Sequence, residues 1–350
     1  MSSPPSVRID QLTGLRTVLA PGRAERPDAF APKPVEVRPD AAERCPFCEG
    51  REQRTPPEVW ADRPGDGGPN TPGWRVRSVP NLYPVFGEPR AAADAPAAET
   101  GFASSIDPLK DSSRTTTVDL FRSQPAVGAH EVIVHTPAHA TSLAQLSDDA
   151  LAAAIGGWRA RMRAHPDAAY VHLIVNEGPE AGASLEHSHA QLYALGFVPA
   201  EVARERERTI AYFERTMGSH LLEDVGVEEI RRRERFVAVD DDALLICPWA
   251  SRSPFELRVV PRRPAARFEE DDAGTAMIAT ALRALGAALG SVPQFNLWIR
   301  NAPRGTEEFC WHLDIVPRLT LRAGFELGTG VEINVYPPER AAADLRAALG

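Results

Sequence analysis

Two imidazoles and a carboxamide stand at alternate positions in His187-Ser-His189-Ala-Gln191. Strand side chains alternate faces with a period of two. A strand over 187–194 therefore puts His187, His189 and Gln191 on one face, with a candidate nucleophile, a second ring and an amide donor. The preceding stretch, Asn176-Glu-Gly178-Pro-Glu-Ala-Gly182-Ala-Ser184, adds glycines that let backbone approach a ligand and the small polar side chains of Asn176 and Ser184. Such a set suits a phosphate beside a histidine. A lone buried histidine is more often a hydrogen-bonded core residue. It is the pair, behind a glycine loop and followed by Gln191, that points to chemistry.

A second chemical signal is Cys45-Pro-Phe-Cys48. One turn there supplies two thiolates, as tetrahedral zinc requires, and leaves two ligands to be found elsewhere. No second Cys-x-x-Cys occurs; the other cysteines are the isolated Cys247 and Cys310. The spacing reads as metal or redox and not as a disulfide framework. A redox pair is expected at a strand-to-helix junction, whereas the surroundings here are Pro- and Arg-rich loop, which favours zinc. Arg23 and Arg26 lie in a Pro-flanked loop. They suit bidentate phosphate or carboxylate contact, and equally two solvated cations.

The elements that must position these residues follow from periodicity. Thr13-Gly14 is a turn between two short extended pieces, and Trp74–Tyr83 begins as a strand. Residues 87–114 have little periodicity and read as a surface insertion. A strand over 130–135 leads to a helix over 148–163, capped by Ser147 and opened by Asp148 and Asp149. The apolar, β-branched run 170–175 is a strand entering the glycine loop. The order strand, helix, strand, loop, strand then recurs at 255–261, 273–289, 295–300 and 310–318, after a helix over 201–217 and a meander at 236–239 and 243–248. Laid over the first half, His312 falls on His187 and Asp314 on His189. The chain thus reads as α+β, two antiparallel-sheet units related by internal duplication. Residues 1–198 carry the histidine pair, and 199–350 are a copy that has lost it.

The 350 residues carry a formal net charge of −9, with 25% charged and 43% hydrophobic residues. This is an ordinary globular composition with room for a sizeable core. The acidic balance argues against a nucleic-acid partner. No run of 18 apolar residues implies a membrane span, and the N-terminal segment lacks the apolar stretch of a signal peptide, so the expected place is the cytoplasm.

Taken in order, several blocks resemble the galactose-1-phosphate uridylyltransferase family of the histidine-triad superfamily. They are Leu12-Thr-Gly with Ala20-Pro-Gly-Arg23-Ala-Glu-Arg26-Pro, Cys45-Pro-Phe-Cys48, Val79-Pro-Asn81 and Thr136-Pro-Ala-His139. The series continues through Asn176 to Gln191, Ser253-Pro-Phe-Glu, His312-Leu-Asp-Ile-Val-Pro and Gly324-Phe-Glu-Leu-Gly. The resemblance covers nearly the whole chain. It implies two histidine-triad units and transfer of a nucleoside monophosphate between a nucleotide sugar and a sugar phosphate, with UDP-glucose and galactose 1-phosphate as the first expectation. An adenylyl-transferring phosphorylase acting on an ADP-sugar or a dinucleotide is the alternative within the superfamily. A non-catalytic zinc-stabilised binding module is the alternative outside it. The resemblance makes His189 the covalent nucleophile and Gln191 the residue on the transferred phosphate. Arg23, Arg26, Phe47, Asn81, Asn176, Gly182, Ser184 and Phe325 become substrate-binding residues. Cys45, Cys48, His139 and His187 become a four-ligand structural zinc site, one Zn2+ per chain, and the protein is expected as a homodimer with shared sites. Two departures stand out. Ser188 replaces the proline common between the two histidines, as in the related phosphorylase branch. Asp314 replaces one histidine of a second metal site that some members build with His312 and a carboxylate matched by Glu205.

Overall fold

The computed structural model describes residues 4–25, 41–87 and 125–350. Arg26 and all but the first residue of the expected 87–114 insertion lie outside the described residues. The first elements are β1 (Ser6–Ile9), β2 (Arg16–Leu19), α1 (Ala41–Arg44), β3 (Trp60–Asp62) and β4 (Val76–Pro80). Then come β5 (Gly128–Val134), α2 (Asp148–Arg163), β6 (Tyr170–Glu177), β7 (His189–Leu195), α3 (Ala200–Thr216) and α4 (Leu221–Arg232). The chain continues through β8 (Phe236–Val239), β9 (Ala243–Ile246), β10 (Leu257–Pro261), α5 (Thr275–Leu289) and β11 (Phe295–Arg300). It closes with β12 (His312–Pro317), α6 (Gly324–Thr329), β13 (Glu332–Asn334) and α7 (Pro338–Leu349).

Among the described residues, ten strands form one antiparallel sheet in the order β3-β4-β5-β7-β6-β11-β12-β10-β9-β8. The α+β class and antiparallel sheets expected from sequence are present. The predicted recurrence also appears, as β5-α2-β6-β7 and β10-α5-β11-β12, which meet at the β6–β11 pair. A separate three-stranded sheet joins β1, β2 and β13, with β13 parallel to β2.

Alternation gives the large sheet two unlike faces. Val171, Leu173 and Val175 of β6, Ala190 and Leu192 of β7, Leu297 and Ile299 of β11, and Leu313 and Ile315 of β12 all enter one core. Leu151, Ile155, Trp158 and Met162 of α2 cover them, with Met277, Ile278, Leu282 and Leu285 of α5 and Ala341 and Leu345 of α7. The core is shared by both halves, so each unit relies on the other for burial. A buried Leu173→Ala change would cost roughly 2–5 kcal/mol. α2 starts where Ser147 accepts from the Ala150 N–H at 3.2 Å. It crosses β4 so closely that a Cβ on Gly157 would meet Val76 at 2.8 Å.

The other face is polar. His189, Gln191, His172, Asn176, Asn296, Arg300, His312 and Asp314 lie along it. Register corrects one expectation about the repeat. Val175 pairs with Ala190, and Ile299 with Leu313. Val175 and Ile299 each stand four residues before a proline, Pro179 and Pro303. Matching them sets His312 against His189 and Asp314 against Gln191, not His312 against His187. Ala190 stands one residue farther along the chain from Val175 than Leu313 does from Ile299, which an end-to-end overlay of sequence misses.

Glu131 ties β5 to α2. It accepts from Arg161 Nε and Nη2 at 2.7 Å each, from His165 at 2.7 Å and from Ser78 at 2.8 Å. Burial alone would raise this carboxyl, but the bonds led by Arg161 hold it at about 2, below its ordinary 4.5. The folded value lies below the unfolded one. The stabilisation is thus present above pH 4.5 and is lost as pH falls from 4.5 toward 2. Glu131→Gln should lower stability at pH 7 by on the order of 2–3 kcal/mol and flatten its acid dependence. Urea unfolding at a series of pH values checks this, and a wild-type acid slope in the variant would contradict it.

Candidate active site

Cys45, Cys48, His139 and His187 come together before β7 begins. Their ligand atoms all lie within 4.8 Å of one another, and no other such group of His, Cys, Asp and Glu occurs among the described residues. His187 Nδ1 is 3.4 Å from Cys45 Sγ and 3.7 Å from Cys48 Sγ, and His139 Nδ1 is 3.4 Å from Cys48 Sγ. These are the edges of a tetrahedron with metal–sulfur bonds of about 2.3 Å and metal–nitrogen bonds of about 2.0 Å. His187 Nε2–H donates to the Thr136 carbonyl at 2.9 Å, which leaves Nδ1 as the ligating nitrogen. Burial first, and then the neighbouring Cys45, push the Cys48 thiol up to about 11. A divalent cation reverses that by binding the thiolate. The donor set fits a structural metal ion with four protein ligands and no open position. Bound there, the ion would fix His187 and the loop around it. His187 itself precedes β7, so it does not share a strand face with His189 as expected. It is drawn to the thiols instead.

His189 opens β7, buried, with the ring edge of Phe47 against it at 5.4 Å. Its Nδ1 lies 2.7 Å from the His187 carbonyl. A carbonyl can only accept, so Nδ1 carries the ring proton and Nε2 keeps its lone pair. Burial lowers the basicity of the ring, against the opposing effect of that bond, so the neutral form is favoured. Gln191 Oε1 sits 3.0 Å from His130 Nε2 and accepts from Tyr193 Oη at 2.9 Å. His130 Nδ1 accepts the Val85 N–H at 3.3 Å, so Nε2 is its donor. With its oxygen taken twice, the carboxamide of Gln191 has its NH2 end left over. His130 stacks on Tyr193 at 4.2 Å; Asn81 Nδ2 lies 3.1 Å from the same His130 Nε2, a donor-to-donor approach and not a hydrogen bond once Nε2 donates to Gln191.

A family model described as galactose-1-phosphate uridyl transferase, N-terminal domain, matches residues 94–199, the span that carries His130, His139, His187, His189, Gln191 and Tyr193. A galactose-1-phosphate uridylyltransferase of Cryptococcus neoformans is 26% identical over 73% of this chain and 62% of its own length. ADP-glucose phosphorylase of Arabidopsis thaliana is 29% identical over 98% of this chain and 92% of that relative. The chain is thus similar to galactose-1-phosphate uridylyltransferases across residues 94–199 and to ADP-glucose phosphorylase along nearly its whole length. A solved structure of ADP-glucose phosphorylase from Arabidopsis thaliana with bound ADP-glucose is similar along 98% of both chains, with a TM-score of 0.74 at 26% identity.

Of the other residues that the resemblance names, Phe47 is buried between the two histidines, 6.1 Å from His187, and Asn81 stands beside His130. Asn176 lies beside His189 on the next strand, one residue past the Val175–Ala190 pair, and accepts from Asn296 Nδ2 at 2.7 Å. Gly182 and Ser184 are exposed in the loop before His187, with Gly182 at φ 84° and open space where a Cβ would stand. It is Gly178 that packs closely, its missing Cβ filled by Gln294. Arg23 and Phe325 are exposed and flank strands of the smaller sheet. Arg23 follows β2, and Phe325 lies on α6 leading into β13. Sequence reasoning passed over His130 and Tyr193, although His130 faces Tyr193 across the β5–β7 pair.

At the residues matched to a second metal site, His312, Asp314 and Glu205, arginines of the chain lie beside the carboxylates. Arg258 binds Asp314 at 2.7 and 3.2 Å, and Arg300 approaches Glu205 of α3 at 3.3 Å. His312 lies between Glu205 and Asp314, at 3.6 and 3.8 Å. Burial and the charge of Arg258 hold His312 well below its ordinary basicity. Arg258 is thus hydrogen-bonded to Asp314, whereas burial pushes the Glu205 carboxyl up to about 8, and Glu205 Oε2, Arg300 Nε and His312 Nδ1 have no hydrogen-bond partner among the described residues. Metal analysis of the purified protein should give about one ion per chain. Cys45→Ser should lose most of it and melt several degrees lower. Full metal content with an unchanged melting temperature would contradict the four-residue group.

Proposed function

We propose that this chain is a nucleotidyltransferase in which His189 Nε2 takes a nucleoside monophosphate from a nucleotide sugar. The observation that carries the reading is the pairing of two oriented groups. His189 has its proton fixed on Nδ1, and Gln191 has its oxygen saturated so that the NH2 end is left over. Nε2 attacks the α-phosphorus, the bond to the sugar-phosphate oxygen breaks, and the sugar phosphate leaves with that electron pair. As a weak base it needs no strong acid. An acceptor phosphate oxygen then attacks the adduct and restores the imidazole. Gln191 would donate to the charged phosphoryl oxygens, a contribution of roughly 3 kcal/mol for one such donor.

For the substrates, the near full-length match to ADP-glucose phosphorylase, together with Ser188, supports ADP-glucose as donor and inorganic phosphate as acceptor. A second reading, UDP-glucose and galactose 1-phosphate, is supported by the family model and the uridylyltransferase relatives. The metal is proposed to be zinc, for its preference for two thiolates and two imidazoles. Arg23 and Phe325, outside the histidine cluster of their own chain, fit a homodimer in which each copy lends them to its partner's site. The division into units 1–198 and 199–350 is proposed as one of ancestry, given their common core.

The protein should form an acid-labile nucleoside monophosphate adduct on the peptide containing His189 when given donor alone, and double-substrate kinetics should be ping-pong. His189→Asn should keep its metal and fold but lose adduct and turnover. A donor panel of ADP-glucose and UDP-glucose, crossed with inorganic phosphate and galactose 1-phosphate, separates the two readings. Turnover by His189→Asn, or an adduct mapped elsewhere, would refute the assignment.

A further inference from the structure

Ser188, the residue between the two histidines, is 3% exposed and has its polar groups partnered inside the protein. Its N–H donates to the Ala140 carbonyl at 2.7 Å. Its Oγ lies 2.9 Å from His135 Nδ1 and 3.1 Å from Glu177 Oε1. The directions of these bonds follow from their far end. Trp158 Nε1 can only donate, and it meets His135 Nε2 at 3.0 Å. His135 therefore accepts at Nε2 and carries its proton on Nδ1, which donates to Ser188 Oγ. The hydroxyl hydrogen then goes to Glu177 Oε1, which also accepts the Leu143 N–H at 2.5 Å. The series Trp158 to His135 to Ser188 to Glu177 is complete, and each member is at most 5% exposed. It fastens one side chain to α2, to the end of β5 and to β6.

We propose that Ser188 is a positioning residue for the nucleophile. It fixes the peptide between His187 and Ser188 so that the His187 carbonyl meets His189 Nδ1. That peptide is planar, so its two edges move together. The nitrogen edge is held by Ala140 and the oxygen edge faces the His189 ring at 2.7 Å. The hydroxyl series holds the adjoining Cα, which stops the plane from turning. Because these bonds are buried behind the strand, their loss should act on the chemical step and leave substrate affinity alone. Displacement of a reacting group by about 1 Å costs on the order of 100-fold in rate.

The inference rests on the reading of His189 as the nucleophile, and the test separates the two. Rapid-quench measurement of adduct formation uses α-32P-labelled ADP-glucose, with a parallel arm in UDP-glucose, on wild type, Ser188→Ala, Ser188→Thr and Trp158→Phe, with metal content measured on each. Ser188→Ala should keep its metal and form the adduct roughly 10- to 100-fold more slowly, with KM within about twofold. Ser188→Thr, which retains the hydroxyl, should recover most of the rate. Trp158→Phe removes only the first donor of the series; it should slow the adduct severalfold at unchanged KM, and it serves if Ser188→Ala does not fold. A wild-type rate in Ser188→Ala or in Trp158→Phe, or a threonine variant no faster than alanine, overturns the proposal alone. A wild type that forms no adduct with either donor overturns the nucleophile reading and this proposal with it.

Discussion

A single hydrogen bond, from His189 Nδ1 to the backbone carbonyl of His187, joins the metal-binding group to the candidate nucleophile. His187 is held through three of its groups. Its Nδ1 faces the thiols, its Nε2 is bound to Thr136, and its carbonyl is bound to the next histidine. A buried neutral hydrogen bond contributes only about 1 kcal/mol to stability. Its consequence here is chemical, since it decides which nitrogen of His189 has a lone pair. The cysteine knuckle is far from His187 in sequence, yet through this bond its geometry reaches the candidate nucleophile.

The sheet makes that arrangement affordable by keeping its two faces unlike. One face buries aliphatic side chains under α2, α5 and α7 and supplies the hydrophobic stabilisation. The other can then carry histidines, amides and ion pairs without weakening the core. In the C-terminal half Arg258 and Asp314 are taken up by one another, and Arg300 stands 3.3 Å from Glu205. In the N-terminal half His189 and the NH2 of Gln191 are oriented by neighbours that leave one functional end of each uncommitted. The two halves thus show the same strand pattern put to different uses.

Much of this was legible in the sequence because it is local. The β-branched alternation of 170–175, the Ser147 cap and the apolar face of 275–289 each identify an element from a few neighbouring residues. The His187–Gln191 and Cys45–Cys48 spacings, with the family resemblance, name the four ligand residues that the structure brings within 4.8 Å. What escaped was set by distant pairing. The parallel β2–β13 contact links residues at opposite ends of the chain, and the register of β11 on β12 places His312 against His189. α4 has no counterpart among the elements read from sequence; Leu222 seats it against Leu12, at the far end of the chain. His130 and Tyr193 looked like ordinary strand residues, since only the β5–β7 pairing shows that they hold the oxygen of Gln191.

The account turns on the tautomer of His189, and nitrogen-15 NMR of the histidine-labelled, metal-loaded protein near neutral pH reads it directly, with His189→Asn used to assign the signal. The prediction is a neutral ring protonated at Nδ1 and bare at Nε2. A ring protonated at Nε2 would leave no lone pair facing the phosphorus and would contradict the role given to the His187 carbonyl.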